Sequence, residues 1–253
     1  VKLVLTEDET MLADSARGFL DKSAPVKAFR DLRDAGQTHD AKMWKEMAAM
    51  GWAGVLVPES AGGVDMGHAA AGILAQEMGK TLAVSPFLST AVIAATALRH
   101  VSDARAEAAL AKIASGDATY ALAVDETSKF NPDATAMTAT AEGNGFRLTG
   151  KKTFVVDGAL ADRLLVLAKT DNGLTLFDIP ADRAGITRNA QNMIDARDSA
   201  RIDFDNVEAT GDDVLGQVDD AMTVLKPAIE AGQAALAAEM AGVAAGAFGM
   251  TVG

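Results

Sequence analysis

From Thr6 to about Gly116, apolar residues recur every three or four positions, the spacing of helices that each bury one stripe. Thr6-Glu-Asp-Glu9 is a capping-box pattern, in which the Thr hydroxyl takes a free N–H of the first turn and Glu9 reaches back. Met11, Leu12, Ala16, Phe19 and Leu20 then follow at helical spacing. Another stripe carries Met43, Trp44, Met47 and Met50, with Gly51 placed to end it, and a third carries Ala70, Ile73, Leu74 and Met78. Ser85-Pro86 predicts a cap with proline in the first turn, opening an Ala-rich helix to about Leu98. Ser102-Asp103 opens a further helix through Leu110 and Ile113, which stops at Ser115-Gly116.

Near Tyr120 the period changes to short segments rich in Val, Thr, Phe and Leu, separated by turn residues, which predicts strands. Phe146 and Leu148 alternate with Arg147 and Thr149 after the hairpin-type turn Gly143-Asn-Gly145. Leu164 to Ala168 is apolar without alternation, so burial on both faces is expected. Leu174 to Ile179 ends at Pro180, and Ile202 and Phe204 alternate with Asp203 and Asp205. Several such strands over this length imply a small barrel or sandwich.

After about Asp219 the helical period returns. Ala228, Ile229, Ala235, Leu236, Met240, Val243 and Phe248 cover nearly every face, which predicts a helix buried among other elements or covered by another chain. Gly242, Gly246, Gly249 and Gly253 would admit close helix approach. The fold class is therefore α+β: an N-terminal helical domain (1–118), a middle small β-barrel or sandwich domain (119–217), and the start of a C-terminal helical bundle (218–253).

Composition narrows the chemistry. At 253 residues and a formal net charge of −12, with acids and bases interspersed, the chain is unsuited to phosphate backbones or anionic membrane surfaces, so neither nucleic acid nor membrane is expected as a partner. Cysteine is absent, which removes disulfides, thiolate nucleophiles and Cys-based metal sites. His39, His68 and His100 lack metal-ligand spacing. The opening Val1 to Glu9 carries no long apolar run, and Ala234–Ala238 is read as too short to span a bilayer before Glu239; a cytoplasmic location is expected.

Four segments in order then carry a resemblance. Leu5 to Glu9 with Phe19-Leu20, Trp44 to Gly63 with Pro58, Glu59, Gly62 and Gly63, Leu148-Thr-Gly-Lys-Lys152 with Ala161-Asp162, and Ser199 to Val207 with Leu215-Gly216 together resemble the acyl-CoA dehydrogenase family. The resemblance implies FAD, an acyl-CoA substrate, an electron-transfer flavoprotein as electron acceptor, and a homo- or hetero-oligomer. It implies removal of the α-proton of the thioester and passage of a hydride from the β-carbon to the flavin, giving a 2-enoyl-CoA.

By the same resemblance the flavin would meet two strand ends, and the candidate cofactor-binding residues are Ala123, Val124, Asp125, Phe154, Val155 and Val156. Here the chain departs from the family pattern. The Thr of the family's flavin loop is missing from Tyr120 to Asp133, and Phe154 and Val156 stand where an aromatic and a Thr or Ser are usual. Phe154 can still wall a ring, but Val156 has no hydroxyl to donate. Such softened motifs resemble partner subunits of two-subunit dehydrogenases, for instance those acting on dicarboxyl or steroid-derived thioesters. The family's general base is expected beyond residue 253; Glu230 and Glu239 do not stand at its position, so no catalytic residue is assigned. A non-catalytic structural subunit and a flavin-dependent hydroxylase on the same fold are the alternative functions.

Overall fold

The computed structural model describes residues 4–252. Val1, Lys2, Leu3 and Gly253 lie outside the described residues, and with them the start of the N-terminal reading and the placement of Gly253 as a contact glycine.

Helix α1 (Glu7–Ser23) begins with the expected capping box: the Glu9 N–H donates to Thr6 Oγ1 at 3.2 Å and the Thr6 N–H donates to Glu9 Oε2 at 2.7 Å. Ala13, Ala16 and Leu20 are buried, whereas Met11 is exposed, so the stripe is narrower than its apolar pattern. Helix α2 (Val26–Asp34) was not anticipated. It is nine residues long and buries none of them, so its short run of Val26, Phe29 and Leu32 among five charges is a weak signal. Asp40 caps α3 (Ala41–Ala49), accepting the Lys42 and Met43 N–H groups, and Gly51 closes the turn at φ +83°.

Helix α4 (Gly67–Thr81) buries the stripe of Ala70, Ile73, Leu74 and Met78. The next helix departs from expectation. Ser85 caps nothing; the chain winds as a π-helix over Phe87–Ala94 before tightening into α5 (Ala95–Arg99). A π turn is the wider winding that often marks a functional site. Asp103 caps α6 (Ala104–Ala114) through the Ala106 N–H at 2.7 Å.

The middle of the chain forms one seven-stranded sheet: β1 (Tyr120–Ala123), β2 (Thr138–Glu142), β3 (Gly145–Val156), β4 (Arg163–Lys169), β5 (Leu174–Pro180), β6 (Ile186–Ala190) and β7 (Ser199–Thr210). Its order is β1-β4-β2-β3-β7-β6, with β5 also on β4, a half-barrel. The apolar run in β4 is buried on both faces for a visible reason. Leu165 and Leu167 pack into the helical core, while Leu164, Val166 and Ala168 fill the interior of the half-barrel with Phe177, Ile179 and Ile202.

Helix α7 (Ala221–Val252) runs along α4 and the π-helix. A Cβ on Gly242 would lie 2.0 Å from the Gln76 carbonyl oxygen, and one on Gly246 2.6 Å from that of Lys80, so backbone meets backbone there. Gly249 touches nothing within 4 Å. The helix is not buried all round: one stripe is buried against the neighbouring elements, mostly in its first half. Ala228, Ala231 and Ala235 are buried, but Phe248 and Met250 are 67% and 71% exposed. Over its 32 residues the helix also has the length and apolarity to cross a membrane, with a mean hydropathy of 1.4 over its most apolar stretch, so Glu239 does not shorten it as the sequence reading held. Its packing on α4 and the ion pair of Glu239 with Arg197 are those of a bundle helix.

Candidate functional site

Strands β1 and β3 end side by side, and a buried ion pair fixes how they do so. Lys152 is 0% exposed; its Nζ donates to the Val124 carbonyl at 3.0 Å and to Glu126 Oε1 at 2.8 Å. The Glu126 carboxylate also accepts the Ala136 and Met137 N–H groups, at 2.8 and 3.0 Å. One side chain thus ties the loop after β1 to the entry of β2 and to the middle of β3. Burial alone would raise the Glu126 carboxyl, but Lys152 and the two N–H donors hold it below the usual carboxylate range. Burial in turn pushes the Lys152 ammonium down, against the pull of Glu126.

Past Lys152 the pairing of β3 with β7 slips, two residues of β3 (Thr153 and Phe154) facing one of β7 (Arg201) between Lys152/Ile202 and Val155/Ala200. This bulge reverses the alternation. Phe154 takes φ +52°, a costly conformation for an aromatic residue, and turns outward to 39% exposure, while Val155 turns into the core of the half-barrel. The Phe154 N–H donates to Gln191 Oε1 at 3.0 Å, and the Thr153 N–H to the Asp125 carbonyl at 2.7 Å.

Of the six residues expected at a ring, three are packed away. Ala123 and Val155 fill the half-barrel interior, and Val124 packs into the helical core. The other three, Asp125, Phe154 and Val156, gather at the end of the sheet. Asp125 carries a buried Oδ1 without a hydrogen-bond partner, and burial raises its carboxyl above the usual range despite the nearby Lys152. An exposed aromatic face, an apolar Val156 and an unsatisfied polar oxygen are compatible with a flavin ring. The backbone N–H of Phe154, already used by Gln191, is not free to help.

Beyond Val156 opens an apolar cavity of about 680 Å³ that reaches both layers. Phe29 of α2, Met78 of α4, Phe87 and Leu88 of the π-helix, and Leu236 and Met240 of α7 form its apolar walls. Asp157, at φ +58° on the turn after β3, faces it together with Arg197 and Glu239. The Asp157 carboxylate accepts from Ser89 Oγ, and Arg197 donates to Glu239. Burial pushes the Asp157 carboxyl up to about 7, with Ser89 and Arg197 opposing.

Sequence reasoning passed over Lys152, Glu126, Asp157 and Arg197 as site residues. Lys152 shares the inward parity of Phe146 and Leu148, but a charged residue there reads as solvent-exposed by its type, and Asp157 reads as one more turn residue before Gly158.

Residues 6–117 match the family described as acyl-CoA dehydrogenase, N-terminal domain. The structure superposes on the Tcur3481–Tcur3483 steroid ACAD G363A variant with a TM-score of 0.85 at 28% identity, covering 97% of this chain and 65% of that one. The chain carries the N-terminal domain of the acyl-CoA dehydrogenase family, and over nearly its whole length it has the fold of a solved member. Acyl-CoA dehydrogenase FadE27 of Mycobacterium tuberculosis is 32% identical over 162 residues, 64% of this chain and 42% of that protein. The ChsE4–ChsE5 complex of the same organism shares the fold with a TM-score of 0.87 at 24% identity, over 99% of this chain and 67% of the matched chain. The chain therefore spans roughly two-fifths to two-thirds of the length of these relatives.

Proposed function

We propose that the protein works as an acyl-CoA dehydrogenase subunit, desaturating an acyl-CoA thioester between its α- and β-carbons with FAD. The observation that carries this reading is the cavity itself, which the half-barrel edge at Val156–Asp157, the π-helix, α4 and α7 enclose together. Phe154, Val156 and Asp125 are the residues that would hold the flavin, whose chemistry when bound is to accept the hydride from the β-carbon. The chain's own part is to exclude water and to orient the acyl group between apolar walls, so that the reacting carbons are held in one geometry. No proton acceptor is assigned: Glu239 is engaged by Arg197, and Asp157 by Ser89. Electrons would leave through an electron-transfer flavoprotein.

A second reading is favoured by one specific observation. With Ala123, Val124 and Val155 in the core and no hydroxyl on Val156, side-chain donors to a flavin are scarce, as in a structural subunit that supports a flavin-bearing partner. The test is to purify the full-length protein alone and in company with its partner polypeptide. Flavin absorbance that bleaches on adding acyl-CoA supports the dehydrogenase, and Phe154→Ala should weaken flavin retention about tenfold. A colourless, well-folded protein that supports turnover only as part of a complex supports the structural role instead. Turnover with oxygen and reduced flavin, rather than with an artificial electron acceptor, would point to a hydroxylase and overturn both.

A further inference from the structure

Within the cavity, the apolar walls are interrupted at one place. The Asp157 N–H donates to the Asp198 carbonyl at 3.1 Å, which fixes the turn and aims the carboxylate at the cavity. One carboxylate oxygen accepts from Ser89 Oγ, and the other receives no hydrogen bond from any described residue. The cation that could have answered it, Arg197, donates to Glu239 instead. Among the charged residues lining the cavity, three acids (Asp157, Asp195 and Glu239) face two bases (Arg33 and Arg197).

We propose that this cavity selects an acyl group bearing a hydroxyl, with Asp157 accepting the hydroxyl's hydrogen bond. The inference rests on the acyl-CoA reading above and deepens it by naming the substrate class. A plain alkyl chain would leave the acceptor buried and unmet, which is the more expensive error in a dry site. A chain ending in a carboxylate would bring a second acceptor and more negative charge against an acid-rich wall. A hydroxyl supplies the one thing the wall lacks, a donor, and its own oxygen can accept in turn. Burial raises the affinity of Asp157 for a proton to about 7, so the carboxylate acceptor is fully developed above that pH. Sites built to hydrogen-bond a ligand hydroxyl discriminate strongly against the analogue that lacks it.

The test is calorimetric binding of matched CoA thioesters to the full protein: plain alkanoyl, hydroxyalkanoyl with the hydroxyl moved along the chain, and ω-carboxyalkanoyl. At least one hydroxyalkanoyl-CoA should bind tenfold or more tightly than its plain counterpart, and the ω-carboxy compound should bind more weakly than either. Asp157→Asn, which keeps the shape of the side chain, should cut the hydroxyl preference below threefold. Ser89→Ala should leave the preference at tenfold or more, because it frees an acceptor rather than removing one. Equal binding of hydroxylated and plain thioesters, or a preference that survives Asp157→Asn, overturns this inference alone. If no thioester binds, the acyl-CoA reading fails and takes this inference with it.

Discussion

Replacing Lys152 by Met tests whether the ion pair at the end of the sheet organises the site. The substitution keeps the length of the side chain but strands the Glu126 carboxylate. Removing one partner of a buried pair typically costs about 3–5 kcal/mol. Glu126 would keep its two backbone donors at 2.8 and 3.0 Å, and its side chain is 15% exposed, so Lys152→Met belongs at the low end, about 3 kcal/mol. Glu126→Gln is the harsher change. It leaves the Lys152 ammonium, wholly buried, with the neutral Val124 carbonyl and amide oxygens in place of a carboxylate partner, and about 4 kcal/mol is expected. For a chain of this size, 3 kcal/mol corresponds to a fall of roughly 6–12 °C in Tm. Urea titrations of the two single variants and the double variant give the coupling. Because the double variant strands neither charge, it should be at least about 2 kcal/mol more stable than the sum of the single losses implies. Hydrogen exchange at the Ala136 and Met137 amides should accelerate in Glu126→Gln. Additive losses, or single variants within about 0.5 kcal/mol of the parent, would refute the claim that this pair anchors the loop.

Two further outcomes follow from the packing of α7 and from the cavity carboxyl. Gly242→Ala should lose about 2–3 kcal/mol in denaturant titrations, because its Cβ would sit 2.0 Å from the Gln76 carbonyl and the helices cannot both stay in place; Gly249→Ala, with nothing within 4 Å, should instead gain up to about 1 kcal/mol from helix propensity. Asp157 binds its proton more tightly when folded (about 7) than when unfolded (3.8), so it withdraws stability as pH rises through that window, by up to about 4 kcal/mol, and no further above it. Asp157→Asn should remove this slope, so its stability relative to the parent must climb from pH 4 to about 7 and then level off; a constant difference across that range would contradict the assignment.

What the sequence made legible were features that are local. The Thr6–Glu9 capping box, the Asp103 cap and the turn at Gly143 each depend on residues a few positions apart, and each is found where its pattern predicts. The unbroken apolar run of β4 also spoke plainly, because one strand serves two cores. The site was legible only in outline. The slip at Lys152/Val155 breaks the two-residue period of β3, so a phenylalanine in phase with Phe146 and Leu148 faces out, whereas Lys152, ahead of the slip, keeps the inward phase and is hidden in the sequence by its charge instead. Helix α2 escaped notice because it buries no residue, yet its Phe29 and Arg33 line the cavity. The π winding after Pro86 likewise has no sequence signature separable from an ordinary Ala-rich helix.

The departures from the family pattern and the polar groups of the cavity belong together. The position that usually carries a hydroxyl donor holds Val156, and the polarity reappears one residue later as Asp157 and across the strand end as Asp125. That exchange swaps donors for acceptors. A carboxylate cannot donate unless protonated, and burial raises both of these carboxyls toward that state while leaving each with an oxygen that no described residue answers. A site furnished with acceptors holds a ring that expects donors less firmly, and holds a ligand that brings its own donor more firmly. Under the proposed function, the exchange that would leave a flavin fewer side-chain donors would also sharpen the demand on whatever enters the cavity, so Asp125→Asn should hold flavin more firmly while Asp157→Asn loses the hydroxyl selectivity.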